Sequence, residues 1–93
     1  MPNFNVGDVV DLLDGGEVVA KGRVMNIDPS GIVHGQPMPI GHIFVAVIRV
    51  LNGNIPIPHV PPHEPEMITL HHVMGHIIAW LRSSLAIYPL LYI

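Results

Sequence analysis

The sequence predicts a mainly β fold, a small curved antiparallel barrel or half-barrel with one short helix. Three observations carry that prediction. Residues 6–34, VGDVVDLLDGGEVVAKGRVMNIDPSGIVH, read as a hairpin closed by Asp14-Gly15-Gly16, whose glycines can take the positive φ of a tight turn. Within it, Val18, Ala20, Gly22 and Val24 alternate with Val19, Lys21, Arg23 and Met25, the period of a strand. Residues 42–51, HIFVAVIRVL, form the most hydrophobic run, apolar on both faces as a central or doubly covered strand is.

The elements follow in order. Residues 4–8 lead in, 9–13 make a short first strand and 17–28 a long second one. Gly22, in mid-strand, marks a close approach of another backbone or a bend where the sheet curls. Asp28-Pro29-Ser30-Gly31 is a turn, with Pro at i+1 and Asp before it as acceptor. Residues 35–41 form a loop with Pro37 and Pro39, and 43–51 the next strand, with Phe44, Ala46, Ile48 and Val50 sharing a face. Asn52-Gly53-Asn54 ends it.

Residues 55–66, IPIPHVPPHEPE, hold five prolines and predict an extended, polyproline-like arm. Pro58 and Pro61 fit the loose P-x-x-P spacing of ligands for proline-recognising domains, although no arginine stands nearby. Thr69 is placed as the N-cap of a short helix over 70–74, closed by Gly75. A strand over 77–81 carries the single tryptophan, Trp80, and the apolar residues 85–93 add an edge strand or pack across a dimer. The expected core is Val10, Leu12, Val18, Ala20, Val24, Phe44, Ala46, Ile48, Val50, Leu70, Val73, Ile78 and Trp80. Closure in the SH3-like manner is how so small a sheet avoids open edges. Residues 1–93 read as one domain.

Composition narrows the function. With 49% hydrophobic and 12% charged residues, the chain is globular and too poor in charge to cover its surface, so an apolar patch stays open for self-association or a partner. Net charge is −3, and Lys21, Arg23, Arg49 and Arg82 read as scattered cations rather than the basic face of a nucleic-acid binder. There is no cysteine, hence no disulfide framework or thiolate metal site. No signal peptide is visible, and the apolar stretch 77–93 contains Arg82, Ser83, Ser84 and Pro89 and is shorter than the roughly 20 residues of a spanning helix. An intracellular protein of nucleus or cytoplasm is expected.

Candidate chemistry is thin. Seven histidines include His72 and His76 at i, i+4, but Val73 stands where a zinc-protease motif needs glutamate, and Gly75 ends the helix between them. His59, His63, Glu64 and Glu66 could complete a metal site from the arm, yet no closed four-ligand set is legible. Ser30, Ser83 and Ser84 lack a nucleophile-elbow context, and Asp11 and Asp14 suit a solvated face and a turn. No enzymatic activity, no cofactor and no metal site are therefore expected.

The order of motifs does resemble a family. Leu12-Leu13, then Glu17-Val18-Val19-Ala20-Lys21-Gly22-Arg23, then Asp28-Pro29, Ile32-Val33-His34, Pro39-Ile40-Gly41, and finally Thr69 through Gly75 to Ala79-Trp80 follow a plant transposon-associated domain of unknown function. The likeness covers about residues 4–81. It departs where the proline-rich arm replaces a tryptophan-bearing loop and where Leu81 replaces the usual proline. The resemblance implies a plant source and an accessory domain of transposase-like or SUMO-protease-like transposon proteins. It implies no catalytic residue and no cofactor.

The reading that follows is a non-enzymatic protein-interaction module, self-associating or sequestering partner proteins. Its candidate partner-binding residues are Leu85, Ile87, Tyr88, Leu90, Leu91 and Tyr92 of the tail, with Pro58 and Pro61 of the arm. The alternatives are a weak nucleic-acid-associated accessory domain of transposon origin and a histidine-based metal-binding protein. No membrane partner is expected.

Overall fold

A computed structural model describes residues 3–28, 30–33, 35–57 and 68–87. The principal sheet is built from β1 (Val9–Asp14), β2 (Glu17–Asn26), β5 (His42–Val50), β8 (Ile77–Leu81) and β9 (Leu85–Ile87). Its order is β8-β5-β2-β1-β9, with every neighbouring pair antiparallel. Between these strands lie two small ribbons: β3 (Ile32–Val33) with β4 (Gln36–Pro37), and β6 (Pro56–Ile57) with β7 (Ile68–Thr69).

The fold is mainly β, as the alternation predicts, and the β1–β2 turn is made as expected. Gly15 and Gly16 take φ of 59° and 85°, the left-handed values that a two-residue hairpin turn requires. The barrel, however, does not close: no strand among the described residues pairs with the far side of β8 or of β9. The sheet is curled nonetheless. Leu81 ends one edge strand and Leu85 begins the other, joined only by the 3₁₀ turn Arg82–Ser84. Four peptide steps reach at most about 14 Å, so the two edges must approach each other at that corner.

Three register shifts decide which residues face the core. Leu12 stands opposite Ala20 but Leu13 opposite Val18, so Val19 is an inserted residue. Its carbonyl accepts from Leu51 N–H at 2.8 Å and Asn52 N–H at 3.0 Å, which tethers the bulge to the end of β5. Val19 is buried and Val18 is 39% exposed, the reverse of the sequence expectation.

On β5 the shift falls between Gly22↔Val47 and Lys21↔Arg49, which makes Ile48 the extra residue. Strict alternation puts Phe44, Ala46, Ile48 and Val50 on one face. In the structure Ile43, Val45 and Val47 are the buried set, Ile48 is 43% exposed, and only beyond the bulge does Val50 turn toward the core. Phe44 is also buried, but on the opposite face and outside the main cluster. The third shift, between Val24 and Asn26, hands the inner position to Ile27, which packs on the core.

The core gathers Val10, Leu12, Val19, Ala20, Val24, Ile43, Val45, Val47 and Leu85 from the sheet and roofs them with Phe4 and Leu70. Met38, Ile55, Ile57, Val73, Ile78 and Trp80 pack around it, half-buried. Gly22 is a close approach, as its place in the strand suggests: a Cβ there would lie 2.9 Å from the Ala46 carbonyl oxygen and 3.1 Å from Leu12 Cδ1. The predicted short helix is a single 3₁₀ turn, Leu70–Val73, which drives the fully buried Leu70 into the core. Gly75 follows it at φ 82°.

Candidate interaction surface

The strand β8, Ile77-Ile78-Ala79-Trp80-Leu81, is the longer margin of the sheet and has no partner on its outer side among the described residues. Its register on β5 runs without a break from His42↔Leu81 to Ala46↔Ile77. Alternation sends Ile78 and Trp80 to the core face, where both pack on the cluster, and Ile77, Ala79 and Leu81 to the other. The strand is half-buried along Ile77–Trp80 and 46% exposed at Leu81. None of its five residues is charged or proline, the devices with which proteins normally blunt an edge. The indole Nε1 of Trp80 is buried without an acceptor among the described residues.

The opposite margin is β9. Leu85 stands opposite Leu12 and is 5% exposed, so it is a core residue rather than an open contact, a correction to its place among the partner-binding candidates. Its burial follows from the pairing of β9 with β1, which turns Leu85 to the same face as the fully buried Leu12. Ile87, opposite Val10, is 48% exposed. The other candidates, Tyr88, Leu90, Leu91, Tyr92, Pro58 and Pro61, lie outside the described residues. The ends of the proline-rich segment are clipped together by Pro56↔Thr69 and Ile57↔Ile68.

The fixed cations are less scattered than their sequence positions suggest. Lys21 and Arg23 share a face of β2, and Lys21 stands directly opposite Arg49 on β5. Lys21 Nζ pairs with Asp11 Oδ1 at 2.7 Å, and Arg23 Nη1 donates to the Gly7 carbonyl at 3.0 Å. Three of the chain's four Lys and Arg therefore sit on one patch, with Asp11 set into its β1 side. The signal was available in the i, i+2 spacing of Lys21 and Arg23; the cross-strand position of Arg49 depends on the Ile48 bulge, which the sequence does not announce.

His42, His71 and His72 serve local structure through their rings. Thr69 Oγ1 lies 2.8 Å from His71 Nδ1 and 2.9 Å from His72 Nδ1. Thr69 N–H donates to His72 Nδ1 at 3.4 Å. The cap at Thr69 is thus built with histidine in place of the usual acidic side chain. The His71 and His72 rings stack at 4.0 Å, and His71 Nδ1 is 3.1 Å from the Gly53 carbonyl oxygen. His72 lies in the 3₁₀ turn and His76 beyond it, so the i, i+4 pair shares no helix face. No group of three metal-ligating side chains occurs among the described residues. His34, His59, His63, Glu64 and Glu66 lie outside them.

At the Asp28 turn, Oδ1 accepts from the Ser30 N–H at 2.9 Å and from Ser30 Oγ at 2.8 Å. These two bonds favour the charged form and hold the Asp28 carboxyl below its ordinary value, the backbone bond contributing most. No helix among the described residues is long and apolar enough to cross a membrane.

Neither curated proteins nor solved structures give a match to this chain. A family model does, over residues 9–88, from the first strand of the hairpin to just past β9. On that span, which takes in all five strands of the principal sheet, the chain belongs to the family described as a domain of unknown function, DUF8039.

Proposed function

We propose that this protein is a non-enzymatic interaction module that pairs with a second copy of itself through the β8 edge, acting as a small regulator that binds or sequesters its partners. The observation that carries this reading is the uncharged, proline-free edge Ile77–Leu81, left without a partner strand among the described residues. An antiparallel β8–β8 pairing across a two-fold axis is self-complementary, and its backbone hydrogen bonds do not depend on side-chain identity. Ile87, at the other margin, and the apolar residues 88–93 that follow it in sequence are the secondary contact. The SH3-like architecture belongs to the same reading, supported by the strand order and by the 3₁₀ link from one edge strand to the other. So does the plant transposon-associated setting, which rests on the motif order set out above.

The experiment is co-purification of two differently tagged copies. The full chain is expected to retain its twin, and Leu81→Lys, which places a charge on an exposed edge position, to lose it while keeping its circular dichroism. Failure of the two wild-type copies to associate contradicts the reading.

A second reading has its own observation, the patch of Lys21, Arg23 and Arg49 on adjoining strands. It makes the outer face a weak nucleic-acid contact, one that falls steeply with added salt and disappears when the three charges are reversed. Binding that survives moderate salt or that triple reversal contradicts it.

A further inference from the structure

A hollow of about 360 Å³ opens between the loop that precedes β5 and the 3₁₀ turn that follows β8. Its walls are Ile27, Met38 and Pro39, with Ile40 at the rim, and its polar corner is made by His42 and Arg82. Two of the lining residues are anchored, because Ile27 and Met38 also pack on the hydrophobic core. The corner is anchored too: Arg82 N–H donates to the Gly41 carbonyl at 2.8 Å, and the His42 ring is held to the Ile40 carbonyl through Nδ1 at 2.9 Å.

Two features have no use in the fold described so far. Arg82 is a half-buried residue whose guanidinium has no hydrogen bond and no ion pair with any described residue, and no carboxylate lines the hollow among the described residues. Beside it, Ile40 is 99% exposed, an aliphatic side chain held out at the rim. A guanidinium presents a planar fork of donors that fits a carboxylate with two parallel bonds. The hollow lies within the roughly 300–1,000 Å³ range of small-molecule sites, and its lining is aliphatic with one fixed charge.

We propose that this hollow binds an aliphatic monocarboxylate, its charged end on Arg82 and its hydrocarbon body against Met38, Ile27 and Ile40. A single fixed cation matches a single negative charge. A phosphate dianion would bring a second charge against walls that cannot solvate it. The same chemistry is offered by a free short-chain acid and by the end of a peptide that finishes in an aliphatic residue.

The test is a titration of the isotopically labelled full chain, followed by the amide resonances of Met38 to His42 and of Arg82. The probes are hexanoate, hexanol as its uncharged counterpart, and acetyl-leucyl-isoleucine with a free or an amidated end. Saturable shifts at these amides are expected with hexanoate, with affinity at least about tenfold weaker for hexanol and for hexanoate on Arg82→Gln, since one charge-assisted pair is lost. Tighter binding of the free-ended dipeptide than of hexanoate assigns the carboxylate to a peptide end, and the reverse assigns it to a free acid. Either supports the site. Absence of saturation, equal binding of hexanol and hexanoate, or an Arg82→Gln variant that binds as the wild type does overturns it. The comparison of hexanoate with hexanol needs no variant, so it decides the matter even if Arg82→Gln does not fold.

Discussion

Asp28 shows how much one side chain organises at the surface. Its Oδ1 takes both Ser30 donors, closing the turn that carries the chain out of β2. Because these bonds lower the folded-state value relative to the ordinary 3.8, their contribution is fully present above that pH and is lost as pH falls through the folded value. Ser30→Ala removes the hydroxyl bond and keeps the backbone one. The Asp28 titration, followed by nuclear magnetic resonance, is expected to move back up toward 3.8 without reaching it. An unchanged titration contradicts the assignment. This turn was legible from Asp28-Pro29-Ser30-Gly31. The histidine cap was legible only by half: Thr69 names itself as a cap, but that His72 takes the place of the acidic partner depends on ring geometry in a 3₁₀ turn.

At the scale of elements, β2 is the strand whose details matter most, because it is the middle of the five. Gly22 lies there with Ala46 and Leu12 against it, so Gly22→Ala drives a methyl group to 2.9 Å from a backbone oxygen. Neither neighbour is the free end of a flexible side chain in open space, since Leu12 is fully buried. A loss of about 1–3 kcal/mol is expected in denaturant unfolding, the cost of overpacking a closed site. An alanine variant as stable as the wild type contradicts the close approach.

The same strand explains what could be read in advance and what could not. Strand existence and the burial of Val10, Leu12, Ala20 and Val24 follow from period-two alternation, and the turn follows from Asp14-Gly15-Gly16. The faces of Val18 and of β5 do not, because alternation assumes one residue per step. The bulges at Val19 and Ile48 each insert one more and reverse everything on one side of them. A bulge is fixed by tertiary contacts, here the two amides of Leu51 and Asn52 on the Val19 carbonyl, and leaves no mark in local composition.

For the whole molecule, closure and its absence are the governing facts. The sequence predicts a curled sheet of a few strands with an edge strand from residues 85–93, and β9 is such an edge; it does not predict that β8 forms the other margin. Residues 85–93 are the obvious apolar candidate, but the pairing of β9 with β1 draws Leu85 into the core, and β8 is the longer of the two edges that have no outer partner strand among the described residues. A sheet of this size, with an uncharged margin that has no partner strand among the described residues, is expected to cover that margin with another strand, and a second copy supplies one of matching composition. The patch of Lys21, Arg23 and Arg49 stands on β2 and β5, inside the sheet and not on the β8 edge.

The most direct measurement is the solution mass by light scattering of three proteins: the full chain, Leu81→Lys, and the chain ended after Ile87 so that Leu85 keeps its place in the core. A dimer for the full chain and for the shortened one, with a monomer for Leu81→Lys, is the predicted result. A monomer in all three, or a dimer lost only on shortening, would contradict pairing through β8.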